Sequence, residues 1–190
     1  TMARGHEYDT IDNYSSRELE DNIAVNGTFP ILLTGALMAK LAANEPSLIL
    51  NVGSIASIGM PLFPAYGPAK AMLMASTAQL AMDQVYTGRD IEVVMMRIGL
   101  VAQTGTIVAP PSVLAPDAPT WVKSALSRVG CGRTEIFPYI PHAIQALVLQ
   151  GLPDFIGRKM KIQGLEEQIE ADVTGARAEV AAARNPKKKL

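Results

Sequence analysis

Two short apolar runs stand out along the chain: SLILNV at 47–52 and IEVVMMR at 91–97. Turn-forming residues precede each, Asn44-Glu45-Pro46 in the first case and Thr87-Gly88-Arg89-Asp90 in the second. An unbroken apolar run of this length, bounded by turns, reads as a strand buried on both faces, as in parallel sheets. Around the runs the apolar spacing becomes helical. Ser15 and Glu18 have capping-box spacing, and Leu19, Ile23, Ile31 and Leu37 mark an apolar face. A helix over 16–43 follows, interrupted at Gly27 and Pro30. A glycine- and proline-containing loop covers 53–64, and a long helix is expected over 65–86. After the second strand comes a loop with Gly99, Gly105 and Pro110-Pro111, then helices over 117–129, 141–152 and 155–184. In the last of these Ile156, Met160, Leu165, Ile169, Val173 and Val180 recur near helical period, while Gly164 and Gly175 weaken it.

Helix, strand, helix, strand in that order predicts an α/β fold, with a parallel sheet covered on both faces. Two strands are too few to cover so many helices, and the first residues are polar and loop-like. The chain is therefore expected to lack the N-terminal half of its α/β domain, of which 1–110 is the C-terminal half. A helical C-terminal extension over 111–190 completes the picture.

Composition narrows the function. Of 190 residues, 48% are apolar and 18% charged, which favours a folded domain. A net charge of −1 gives no electrostatic case for nucleic acid. Cys131 is the single cysteine and His6 and His142 the only histidines, so neither an intrachain disulfide nor a metal centre is expected. The N-terminal residues do not form a signal peptide, and no run of about 18 apolar residues suggests a standard spanning helix. Trp121 and Cys131 read as packing residues, Met72, Met74 and Met82 as helix core, and His142 as structural or interfacial.

Chemistry concentrates at Ser54, Tyr66 and Lys70. Tyr66 and Lys70 are four apart at the start of a helix, which places them on one face. An ammonium beside a phenol favours phenolate, so Lys70 is expected to lower the Tyr66 pKa. A tyrosine tuned this way gives a proton to a carbonyl oxygen, or takes one from an alcohol. Ser54 lies twelve residues before Tyr66, just past the first strand, at the sheet end where sites are built. Its hydroxyl is placed to hold a substrate oxygen. Asn26 adds a further group: Pro30 has no N–H, so the Asn26 carbonyl loses its helical partner and is free to hold a water.

These residues bring a family into view. LILNVGSIASIGMPLFPAYGPAKAM resembles the core of the short-chain dehydrogenase/reductases, where a strand delivers a serine and Tyr-x-x-x-Lys follows about a dozen residues on. DNIAVNGT is similar to the stretch bearing the family's active-site asparagine, here Asn26. MRIGLVAQT resembles the Pro-Gly-x-Val loop that packs on the nicotinamide end of the cofactor. The resemblance implies that 1–110 is the catalytic half of a Rossmann-type domain, with Tyr66, Lys70, Ser54 and Asn26 as catalytic residues. Tyr66, Lys70, Gly99, Val101 and Thr104 become the cofactor contacts, with NADPH as cofactor and Lys70 also on its ribose. Two departures matter. Ile98 stands where the family usually has proline, and no Gly-x-x-x-Gly-x-Gly turn for the pyrophosphate occurs anywhere in the chain.

The segment IFPYIPHAIQALVLQGLP and the basic ending NPKKKL are similar to a membrane-associated, microsomal branch of that family. That branch comprises very-long-chain 3-oxoacyl-CoA reductases and hydroxysteroid dehydrogenase relatives. Lys187 and Lys188 occupy the positions of a dilysine retrieval signal. The implied protein reduces a 3-oxoacyl-CoA, or else a steroid or other lipid ketone. It sits at the endoplasmic-reticulum membrane with a cytosolic C-terminus, as a homo-oligomer or with elongation-complex partners. The apolar segment 136–152 is too short to span and is expected to lie along the membrane interface. A truncated, inactive chain that only binds or scaffolds is the rival reading.

Overall fold

The computed structural model describes residues 8–104 and 110–184, by backbone alone from 171 onward. His6, Gly105, the side chains of Val173 and Val180, and the tail with Lys187 and Lys188 lie outside the described residues. At the centre, β1 (Ser47–Ser54) and β2 (Ile91–Ile98) pair in parallel, in register from Ser47 with Ile91 to Ser54 with Ile98. A third strand, β3 (Glu135–Ile136), pairs in parallel with the end of β2, giving the order β1-β2-β3. The sequence pattern supports two strands, and β3 is a third beyond them. Two residues are too few to show an alternation, and here the neighbouring strand rather than local pattern makes the strand.

Alternate residues of β2 build two cores. Ile91 and Val93 join Ile49 beneath α2 (Phe29–Ala42) and α3 (Tyr66–Thr87), through Met38, Leu41, Leu80 and Ala81. On the other face Val94 and Met96 join Val101 and pack on Trp121 and Ala125 of α4 (Ala118–Leu126). β2 is thus a buried central strand, as its apolar run predicts. β1 departs from that expectation: Leu48 and Val52 are 40% and 41% exposed, because among the described residues β1 is paired along one edge only.

The expected first helix comes in three pieces. Ser15 caps α1 (Ser16–Ile23) with a full capping box, accepting from the Glu18 N–H at 3.3 Å while Glu18 accepts from the Ser15 N–H at 2.9 Å. A π-helical turn over Ala24–Thr28 follows, in which the Phe29 N–H donates to the Ala24 carbonyl, and α2 then runs on. The widened turn lies where Pro30 withdraws its N–H from the ladder. Gly27 in that turn rests against α3 so closely that a Cβ would lie 2.3 Å from Met72 Cε and 3.3 Å from the Ala69 carbonyl oxygen.

Ser16–Ala42 as a whole is long and apolar enough to cross a membrane by length and composition. The sequence reading expected no such segment, because Thr28, Thr34 and Lys40 break the apolar run without making the stretch polar. Beyond β3 lie α5 (Ile140–Gly151) and α6 (Asp154–Arg184). Two packing expectations are corrected. Cys131 is exposed, in a turn between Gly130 and Gly132, both at positive φ. Met82 is also largely exposed, on the outer side of α3.

Candidate active site

Ser54 is the last residue of β1, so the strand itself delivers its hydroxyl to the C-terminal end of the sheet. The side chain is buried and accepts from the Ala56 N–H at 3.1 Å. The turn beyond it, a 3-10 helix over Ile55–Ile58, is braced from below. Ser57 Oγ donates to the Ser54 carbonyl at 2.7 Å, and the buried Arg97 of β2 donates to Ser57 Oγ at 3.0 Å. The same guanidinium pairs with Glu135 of β3 at 2.7 Å and lies 4.5 Å from the Phe137 ring centroid.

Tyr66 opens α3 and Lys70 follows one turn later. Lys70 Nζ donates to the Val52 carbonyl at 3.0 Å and stands 5.7 Å from the centroid of the Tyr66 ring. Burial raises the Tyr66 pKa, and the hydrogen bond with the Ser54 side chain lowers it by less. Burial also lowers the Lys70 pKa. The expected lowering of the Tyr66 pKa by Lys70 is therefore not what this arrangement produces. The ammonium is itself disfavoured by desolvation and points to a backbone carbonyl, and loss of water around the phenol outweighs the help from Ser54.

Ser54, Tyr66 and Lys70 line one cavity of about 1090 Å³. Gly99, Val101 and Thr104 line it too, from the loop after β2, and Thr104 Oγ1 donates to the Val101 carbonyl at 3.2 Å. Asn26 is buried in the π-helical turn, where its side-chain amide donates to the carbonyl and side-chain oxygen of Asn22. It is not among the cavity-lining residues.

Much of the cavity wall went unread in the sequence. Ile144, Val148 and Leu149 of α5 line it, with Met160, Lys161 and Gln168 of α6. Lys161 Nζ donates to the Ile58 carbonyl at 3.2 Å and Gln168 Nε2 to the Tyr8 hydroxyl at 2.7 Å, so α6 is tied to both the 3-10 turn and the N-terminal stretch. A helical period reveals that α5 and α6 have buried faces, but not which distant loop they meet.

The short chain dehydrogenase profile matches residues 3–109, more than half of the chain. The chain belongs to the short chain dehydrogenase family. A very-long-chain 3-oxoacyl-CoA reductase of Caenorhabditis briggsae is 31% identical over 137 residues, 72% of this chain and 42% of the relative. The enzyme of that name from Kluyveromyces lactis is 28% identical over 151 residues, 73% of this chain and 43% of its own length. The chain thus spans less than half the length of these curated relatives. Among solved structures, a 7beta-hydroxysteroid dehydrogenase superposes with TM-score 0.67 at 18% identity, over 84% of this chain and 63% of that one. A short chain dehydrogenase from Burkholderia cenocepacia, in complex with NADP, superposes with TM-score 0.63 at 16% identity, over 74% and 60%. These likenesses place the three-stranded sheet and its flanking helices in the Rossmann-type fold.

The family implies a nicotinamide dinucleotide, and the site suits one end of it. On the cavity wall the Tyr66 phenol and the Lys70 ammonium are donors that ribose hydroxyls can use, and the Thr104 hydroxyl oxygen is an acceptor for a carboxamide N–H. No glycine-rich turn for a pyrophosphate occurs in the sequence.

Proposed function

We propose that the complete protein uses NADPH to reduce the ketone of a long-chain 3-oxoacyl thioester, with Ser54, Tyr66 and Lys70 as the reacting site. The observation that carries this reading is the convergence of those three residues on one cavity whose remaining walls are mostly apolar. Bound there, the dihydronicotinamide supplies a hydride to the carbonyl carbon. The chain's own residues do the rest. Ser54 holds the carbonyl oxygen by its hydroxyl, and Tyr66 passes its proton to that oxygen. The Tyr66 phenol, on the cavity wall, is the O–H donor that the reducing direction needs. Lys70 is fixed against β1 with its remaining N–H groups available for ribose hydroxyls. The Asn26 carbonyl, which lacks a Pro30 N–H partner, is the group that would hold a relay water.

Met60, Phe63, Leu114, Ile144, Val148 and Met160 give the cavity the lining an acyl chain requires. NADPH and the thioester come to this chain from the resemblance and from relatives named very-long-chain 3-oxoacyl-CoA reductase. The test is reduction by the purified complete protein, followed by NADPH consumption. Long-chain 3-oxoacyl-CoA should be preferred over both a short-chain 3-oxoacyl-CoA and a steroid ketone. A steroid preference would reassign the substrate, and failure on all three would contradict the activity.

The same reading places the protein at the endoplasmic-reticulum membrane with a cytosolic C-terminus. Ile140, Ile144, Leu147 and Phe155 are exposed on α5 and α6, and their apolar surface supports contact with a membrane interface. Residues 111–190 then form the substrate and membrane side of the molecule. Homo-oligomer or elongation-complex contacts would use the apolar surfaces left free.

A further inference from the structure

The loop after β2 enters the cavity through Gly99, Leu100 and Val101, and what holds it in place is a histidine far along the chain. His142, on the first turn of α5, is fully buried and is not among the cavity-lining residues. Its Nδ1 accepts the Gly99 N–H at 3.1 Å. Its Nε2 lies 3.1 Å from the Leu100 carbonyl oxygen and 3.3 Å from the Leu114 carbonyl oxygen. Carbonyl oxygens accept only, so Nε2 carries the proton and Nδ1 does not. The ring is therefore neutral and in one defined tautomer, with both nitrogens used. It is also in contact with the loop: a Cβ built at Gly99 would lie 2.7 Å from His142 Cδ2 and 3.0 Å from Nε2. The Tyr139 ring closes the pocket edge-on, at a centroid distance of 5.0 Å.

We propose that His142 is the positioning residue of the nicotinamide-side loop, setting where Gly99, Leu100 and Val101 stand relative to Tyr66. The imidazole joins three segments that share no secondary structure: the loop after β2, the stretch before α4 and the first turn of α5. It also forces residue 99 to be glycine, since any larger side chain collides with the ring. Ile98, which leads into the loop, has none of the φ restriction that a proline would bring, and the hydrogen bonds to His142 are what tie the loop across the fold. The burial of both nitrogens removes His142 as a proton donor to substrate and as a metal ligand. Its role in turnover rests on the functional reading above; its role as a clamp does not.

Three variants in the complete protein separate the two. His142→Asn can keep an acceptor where Nδ1 stands, His142→Gln can keep a donor where Nε2 stands, and His142→Leu keeps neither. Amide hydrogen exchange over residues 97–103 reads the clamp without any assay of activity. Exchange should rise about tenfold or more in His142→Leu and His142→Gln, and stay within about threefold of wild type in His142→Asn. Steady-state kinetics reads the consequence: KM for NADPH should rise about tenfold in His142→Leu, with kcat at saturating cofactor changed far less, and His142→Asn should rescue it. Should His142→Leu fail to fold, the contrast between Asn and Gln decides alone. Unchanged exchange in His142→Gln, or equal loosening in Asn and Gln, would overturn the clamp. Loosened exchange with an unaltered KM would overturn the positioning role. A wild-type protein without reductase activity would fell the functional reading and leave the clamp to be judged by exchange.

Discussion

At the scale of single residues the site balances water loss against hydrogen bonding. Burial pushes the Tyr66 pKa up, and the Ser54 side chain pulls it partly back. Ser54→Ala therefore removes the stabilising partner of the phenolate. In the alcohol-oxidising direction, which needs phenolate, activity should set in at a higher pH than in wild type, as a pH–rate profile would show. The variant should also lose about 10²–10³-fold in turnover, the usual cost of one donor to a reacting oxygen. An unshifted profile would mean that Ser54 does not act on Tyr66. Ser54, Tyr66 and Lys70 were legible in the sequence because one strand, one turn and one helical turn bring them together locally. His142 was legible as a structural residue but its partners were not, and neither was the role of Arg97, because only the folded chain brings these distant segments together. The Tyr66 shift was misjudged for a related reason: spacing reports the distance to Lys70, and burial decides the sign.

At the scale of elements, the strand end that presents Ser54 is held by a chain of contacts running from Glu135 in β3 through Arg97 in β2 to Ser57. Replacing Arg97 by methionine keeps much of the bulk and removes the charge. About 1–3 kcal/mol of stability should be lost, toward the lower end because Glu135 is partly exposed and already screened. A denaturant midpoint measures this, and an unchanged midpoint would show that the brace carries no stability. The interruption of the first helix was readable from Gly27 and Pro30, since a missing N–H is a property of the sequence. That the gap becomes a π-helical turn was not readable, because it depends on Gly27 fitting against Met72 and Ala69. β3 was missed for want of length, and the walls formed by α5 and α6 because helical period gives a face but not its neighbour.

At the scale of the whole molecule, the chain holds the residues proposed to react, Ser54, Tyr66 and Lys70, and its sequence contains no glycine-rich pyrophosphate turn. Residues 1–190 alone should therefore bind NADPH too weakly for calorimetric titration at ordinary concentrations. A micromolar dissociation constant would show that this half does the holding. Location is tested with Lys187→Ser and Lys188→Ser together in the tagged complete protein. Wild type should fractionate with the reticular membrane, and the double variant should leave that compartment. A cytosolic wild type would contradict the membrane reading, and an unmoved variant would contradict the dilysine reading. The central claim is narrower than either, that Tyr66 is the proton donor to a carbonyl oxygen. Its most direct test is the rate of NADPH-dependent ketone reduction by Tyr66→Phe in the complete protein, with the fold checked by circular dichroism. A loss of about 10²–10⁴-fold at unchanged fold is predicted, and turnover near the wild-type rate would contradict it.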